Sequence, residues 1–173
     1  MRDVVAEARP DLLELAVELV GDDPFELVGE GTRFAQPAIY CASIAHWERA
    51  GRPEADCVAG HSLGELAALV AAGALDPEDG LRIAVVRGAL MQRAAEADGE
   101  SGMMALLGDG EVARRLAEQH GLTPANDNSP DQLVVAGHDD ALSAARREAR
   151  KAGLRAVRLP IRGAFHSPAM QPV

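Results

Sequence analysis

The residues best suited to chemistry are Gly60-His61-Ser62-Leu63-Gly64. Small residues on both sides let a chain turn tightly from strand to helix and expose the central serine at the helix N-terminus. There the backbone N–H of Leu63 and the positive end of the helix can stabilise an oxyanion. The chemistry is that of a serine nucleophile accepting an acyl group. A bare G-x-S-x-G recurs by chance. Its position between the apolar Cys57-Val58-Ala59-Gly60 and the apolar run after it makes it more specific.

A serine nucleophile needs a base, and the chain has five histidines. His46 and His120 sit among charges on helical patterns and are expected at the surface. His138 comes just after a strand end, where a turn role suffices. His61 adjoins the serine, but adjacent side chains diverge, so it reads as a packing or loop-ordering residue. His166 lies in Gly163-Ala164-Phe165-His166-Ser167-Pro168, where small residues and proline suit a shaped turn. It is the candidate base. The alternative is a histidine that only shapes the turn.

Arg87 is the third notable residue. Its helical neighbours are Ile83, Ala84, Leu90 and Met91, so it projects from an apolar stripe. Burying an unpaired guanidinium is costly. Either an internal carboxylate pairs with it, or it lines a pocket for an anionic ligand. The planar fork is a natural receptor for a carboxylate. The pocket reading implies an acyl substrate with a free carboxylate.

These residues must be positioned by the elements around them. Leu12, Leu13, Leu15, Ala16 and Leu19 fall near helical spacing over Pro10–Val20. Pro37 opens a second amphipathic run through Trp47, which ends before Gly51 and Pro53. Cys57–Gly60 reads as a short strand, and the segment after it, apolar nearly all round, as a buried helix. Asp76-Pro77-Glu78-Asp79 is a helix start, with an N-cap, Pro at N1 and acids on the dipole. That helix is expected to reach about Ala97.

From Gly102 the pattern changes. Met103–Leu107, Leu122–Asn126, Gln132–Ala136 and Arg155–Leu159 read as strands, with helices over Glu111–His120 and Asp139–Ala152. The order βαββαβ is the ferredoxin-like arrangement, with a turn at Asn128-Ser129-Pro130. We expect an α/β protein in which residues 102–159 are inserted into a core formed by 1–101 and 160–173.

Composition narrows the function classes. With 173 residues and 47% hydrophobic content, the chain is long and apolar enough for one globular domain, or one carrying a small insert. No uncharged run is long enough to span a membrane, and Met1–Asp11 lacks the pattern of a secretory leader. A cytoplasmic protein is expected. Two cysteines, Cys41 and Cys57, give neither a disulfide framework nor a zinc pattern, so no metal is expected. A net charge of −10 argues against nucleic-acid binding, which rests on phosphate neutralisation. The charge is uneven: between Arg146 and Arg162, seven basic residues face the single acid Glu148. Such a strip is either a solvated helix face or a surface for an acidic partner.

Taken in order, several segments resemble the malonyl-CoA:acyl-carrier-protein transacylases and the acyltransferase domains of polyketide synthases. They are Gln36-Pro37-Ala38-Ile39, residues 60–65 (GHSLGE), 68–75 (ALVAAGAL) and 87–92 (RGALMQ). Further matches are 102–108 (GMMALLG), 126–132 (NDNSPDQ) and 163–170 (GAFHSPAM). The resemblance covers essentially the whole chain. It implies an α/β-hydrolase-like core, incomplete here, with a ferredoxin-like insert. By position, Ser62 matches the family's nucleophile, His166 its base and Arg87 its malonyl-carboxylate arginine. The Leu63 N–H matches one oxyanion donor, and Met91 an acyl-pocket residue. Leu63 and Ala164-Phe165-His166 resemble the malonyl-selecting pattern, so Phe165 is also a substrate-binding candidate. The implied reaction is ping-pong: Ser62 takes malonyl from coenzyme A and passes it to the phosphopantetheine thiol of an acyl carrier protein. No bound cofactor is implied, and a monomer is expected. Because the family's carriers are acidic, Arg147 and Arg150 become candidate docking residues.

Two departures accompany the resemblance. The family opens with a strand and a Gly-Gln-Gly-Ser-Gln loop that supplies the second oxyanion N–H, and nothing like it stands at Met1. The family also continues past the histidine motif, with a carbonyl that orients the histidine. The sequence is therefore expected to be a piece of a longer protein, with reduced or no activity alone. A serine hydrolase normally places an acid between Ser and His. Asp127, Asp131, Asp139 and Asp140 are available, yet all fall in the expected insert, and hydrolysis leaves Arg87 unexplained. A non-catalytic remnant is the third reading.

Overall fold

The computed structural model describes all of residues 1–173, in two units, residues 1–90 and 91–173. The first is helical: α1 (Arg2–Ala8), α2 (Pro10–Val20), α3 (Thr32–Arg49), α4 (Gly64–Ala71) and the start of α5 (Pro77–Asp98). Pro10 opens α2, and Gly21, at φ +85°, closes it by donating its N–H to the Val17 carbonyl. The Asp76 carboxylate caps α5, accepting from the N–H groups of Glu78 at 2.8 Å and Asp79 at 3.4 Å.

The apolar faces of these helices meet in one core that includes Val5, Leu12, Ala16, Tyr40, Ile44, Val70, Leu81 and Ala84. Cys41 is buried there, and burial pushes its thiol pKa up to about 12. A thiol held protonated in this way is not a nucleophile. Tyr40 is the largest buried side chain, and its hydroxyl donates to the Pro77 carbonyl at 2.8 Å.

Three expectations for this unit are corrected. The helix containing Pro37 begins at Thr32, so the proline lies inside α3 instead of opening it. Burial of Phe34 and Gln36 holds that turn helical despite the lost N–H. Cys57–Gly60 forms no strand: Cys57, Val58 and Ala59 are exposed, and all four strands of the chain lie in residues 101–162. A strand is defined by its neighbour's hydrogen bonds, and apolar sequence alone does not supply them. Finally, α4 is half-buried, with only Val70 fully covered and Leu69 45% exposed.

The second unit keeps closely to the expected order. It contains β1 (Ser101–Leu107), α6 (Gly110–Gln119), β2 (Thr123–Ser129), β3 (Gln132–His138), α7 (Asp139–Ala149) and β4 (Arg155–Arg162), then one 3₁₀ turn at Pro168–Met170. The strands form one antiparallel sheet in the order β2-β3-β1-β4. Met104 and Leu106 point to one face with Val135 and Leu133, against Leu116, Leu142 and Ala145 of the helices. Met103 and Ala105 point to the other face with Ala136 and Val134, together with Ala164, Phe165 and Ala169. Residues 163–170 thus pack with the sheet. His120 is a correction: it is half-buried, its Nε2 lying 3.1 Å from Glu148 Oε2. No helix is long and apolar enough to cross a membrane.

Gly80 sets the approach of α5 to α3, since a Cβ there would lie 2.2 Å from the Tyr40 hydroxyl and 2.8 Å from its Cζ. Gly80→Ala gains about 1 kcal/mol of helix propensity, which this overlap outweighs. The variant should therefore melt lower than the native protein. In a Tyr40→Phe background the same substitution should cost less, and a double-mutant thermal-melting cycle measures the difference. Strict additivity would place the overlap elsewhere.

Candidate functional site

The turn ahead of α4 is built so that Ser62 projects from it. A Cβ on Gly60 would fall 2.0 Å from the Gly64 backbone, which no other residue can accommodate. Ser62 takes a positive φ of +53°, a conformation uncommon outside glycine. The N–H groups of Gly64, Glu65 and Leu66 donate to the carbonyls of His61, Ser62 and Leu63 at 2.9–3.2 Å. The Leu63 N–H takes no part in that ladder and stands at the start of the helix. This is the strained turn that the glycine spacing predicts, although the strand normally feeding it is absent from the fold.

Arg87 reaches this turn from α5. Its Nη2 donates to Ser62 Oγ at 3.1 Å, and its Nη1 to Gln36 Oε1 at 2.6 Å. Neither partner is charged, and no carboxylate pairs with the guanidinium. Burial draws its pKa below the ordinary value, while Glu65 acts in the opposite direction. The half-buried cation is therefore solvated by neutral oxygens, one of them on the candidate nucleophile.

Gln36 is a site residue that its helical position alone did not assign. It is 5% exposed, and its Nε2 donates to Thr32 Oγ1 at 2.9 Å. The available signal was a buried-type position in the apolar face of α3 occupied by an amide. Gly88 makes the contact possible, because a Cβ there would lie 2.8 Å from the Thr32 carbonyl oxygen. The backbone of α5 thus lies against the first turn of α3, and Arg87 meets Gln36 directly.

The other candidates are more dispersed. Leu63 is half-buried against the helical core. Met91, on α5, is buried. Phe165 packs on the sheet face with Ala164. His166 is exposed at φ +58°. The turn around it is held by Ser167, whose hydroxyl donates to the Ala164 carbonyl at 2.5 Å and accepts from the Ala169 N–H at 3.3 Å. Arg147 and Arg150 are exposed at the C-terminal end of α7. Ser62, Leu63, Arg87 and Gln36 belong to the first unit, and Met91, Phe165, His166 and the arginines to the second. No group of three or more His, Cys, Asp or Glu is arranged to hold a metal ion.

Residues 16–173 match the acyl transferase domain family, and the chain belongs to it. The chain is similar to the malonyl CoA-acyl carrier protein transacylase of Escherichia coli, with 39% identity over 146 residues. That match covers 79% of this chain and 47% of the relative. The solved structure of the Burkholderia pseudomallei transacylase superposes with a TM-score of 0.84 at 33% identity, covering 97% of this chain and 61% of that one. A second structure has a TM-score of 0.82 at 33% identity and covers 98% and 59%. It holds a type II polyketide synthase acyl-carrier protein in complex with its malonyl-transacylase. The chain thus spans about half to three-fifths of these relatives' length.

The site costs stability. Removing Arg87 alone takes a donor from the buried Gln36 carbonyl oxygen, and removing Gln36 alone takes one of two hydrogen bonds from a half-buried charge; each leaves a desolvated polar group less well satisfied. Replacing both with apolar groups removes the problem. Gln36→Leu/Arg87→Met should therefore be at least as stable as the native protein, while each single substitution costs about 1–3 kcal/mol. Urea unfolding of the three variants tests this, and a double variant less stable than both singles would refute it.

Proposed function

We propose that the chain carries the nucleophile and carboxylate-binding arginine of a malonyl-CoA:acyl-carrier-protein S-malonyltransferase, acting in fatty acid or polyketide biosynthesis. The observation that supports this best is the hydrogen bond from Arg87 to Ser62 Oγ. An acyl group on that oxygen lies within reach of a guanidinium that has no carboxylate of its own. Malonyl is a small acyl group that supplies one. The names of the relatives, and the neighbour solved with its carrier protein, support the same reaction.

The mechanism runs in two halves. Ser62 Oγ attacks the thioester carbonyl of malonyl-CoA while His166 takes the hydroxyl proton. The developing oxyanion is stabilised by the Leu63 N–H and the N-terminus of α4. Arg87 exchanges its bonds to Gln36 and Ser62 for a bidentate hold on the malonyl carboxylate. The C–S bond breaks, and His166 returns the proton to the departing thiolate. In the second half the phosphopantetheine thiol of the carrier gives its proton to His166 and attacks the Ser62 ester, and Ser62 Oγ leaves with that proton. Met91 and Phe165 line the acyl pocket in this reading.

Within this proposal, residues 102–159 form a ferredoxin-like insert, which the βαββαβ order and the strand order β2-β3-β1-β4 support. Residues 1–101 and 160–173 belong to a hydrolase-like core. The acidic carrier docks on the basic end of α7, where Arg147 and Arg150 stand exposed.

Incubation of the full-length form with malonyl-CoA should place one malonyl group on Ser62, and peptide mass spectrometry locates it. Acyl groups elsewhere, or unchanged labelling in Ser62→Ala, would reject the assignment. Arg87→Ala should lower malonyl loading roughly ten- to hundredfold, the equivalent of about 1.5–3 kcal/mol for a charged hydrogen bond. Acetyl loading should fall less, whereas equal losses would mark a purely structural arginine.

Reversal of Arg147 and Arg150 to Glu should raise the carrier's KM and flatten its dependence on salt, because steering by charge is screened. Loading from malonyl-CoA should barely change. If both half-reactions respond alike, or neither does, the strip is a solvated face.

A further inference from the structure

The turn that carries His166 leaves the sheet at a junction containing an ion pair that the mechanism above does not use. β4 is irregular where it leaves β1. Met104 faces Arg158 and Gly102 faces Arg162, so Met103 alone opposes Leu159, Pro160 and Ile161. Extra residues on one strand make a bulge that bends the chain and redirects the segment beyond it. Pro160 suits that place because it has no N–H to leave unpaired. Immediately past the bulge, the Gly163 N–H donates to the Ser101 carbonyl at 3.1 Å, three residues before His166.

Arg158 is the last regularly paired residue before this bulge, and its guanidinium bonds the carboxylate of Asp139, the opening residue of α7. The same side chain lies over Gly102, where a Cβ would fall 2.7 Å from Nη2 and 3.5 Å from the Ile161 carbonyl oxygen. Asp139 is held in turn through its own N–H, which donates to the Glu100 carbonyl at 3.0 Å. Glu100, Ser101 and Gly102 thus receive, in succession, the start of α7, the His166 turn and the Arg158 head group. The ion pair ties β4 to α7 across the mouth of the bulge and is only partly exposed, with 30% of the Arg158 side chain accessible.

We propose that the Arg158–Asp139 pair is a positioning device for His166, fixing the bulge from which the histidine turn departs. Arg158 touches no reacting atom and acts through Gly163. The proposal rests on the reading of His166 as the base only for its effect on catalysis, because its structural content concerns the turn alone. Positioning matters because a displacement of about 1 Å can cost on the order of a hundredfold in rate.

Two readouts on the full chain test it. Hydrogen exchange at Gly163 reports the junction directly. In Arg158→Ala and in Asp139→Asn it should quicken by about tenfold or more, while the amides of β1 and β3 remain protected, as for a local opening. In malonyl loading, kcat should fall roughly tenfold with KM for malonyl-CoA nearly unchanged, and the limb of the pH–kcat profile that reports the base should shift. Arg158→Lys, which keeps the charge, should restore most of both. Unchanged Gly163 exchange in both variants would overturn the proposal, as would loss of protection across the whole sheet. If the full-length form is not acylated at Ser62, the functional reading fails while the exchange result still decides the junction.

Discussion

A half-buried guanidinium without a carboxylate is the constraint around which the helical unit is organised. Arg87 is held by Gln36 Oε1 and Ser62 Oγ, and each partner demands a particular backbone arrangement. Gln36 is within reach because Gly88 lets α5 lie against the first turn of α3. Ser62 is within reach because the turn at Gly60 accepts no side chain and turns the serine outward at positive φ. A carboxylate in place of either neutral oxygen would have stabilised the cation more and left it unavailable to a ligand. The arrangement holds the half-buried charge with neutral oxygens from two different elements of the unit.

The sheet unit answers a different requirement. Its central strand β1 is buried on both faces, by helices on one side and by residues 163–170 on the other. The histidine turn is therefore packed on a rigid surface even though His166 itself is exposed. Functional side chains on short loops are precise only when their supports are locked. Here the support is the Ala164–Phe165 contact with the sheet and the Gly163 bond to Ser101.

Charge is divided as unevenly as structure. Residues 1–90 carry seven basic and sixteen acidic side chains, whereas residues 146–162 carry seven basic against one acidic. The one acid of that stretch, Glu148, is taken up by His120, and Arg158 by Asp139, so Arg147 and Arg150 face solvent without a salt-bridge partner. The basic strip is thus a local feature of a chain whose net charge is −10.

Much of this was legible in the residues themselves. The limits of α2, the cap at Asp76 and the βαββαβ order come from 3.6- and 2-residue periodicities and from Pro, Gly and Asp at element ends, which act locally. The glycines around Ser62 and the placement of Arg87 on an apolar stripe marked the site for the same reason. What local sequence could not decide was partnership. Cys57–Gly60 has the composition of a strand and pairs with none, and Pro37 sits within a helix because Phe34 and Gln36 are buried around it. Whether an internal carboxylate pairs with Arg87 was likewise open until α3 and α5 were brought together, with Gln36 and Ser62 as its partners. Hydrogen-bond partners distant in sequence, such as Gln36 and Arg87 fifty-one residues apart, are fixed by packing, and packing is a property of the folded chain.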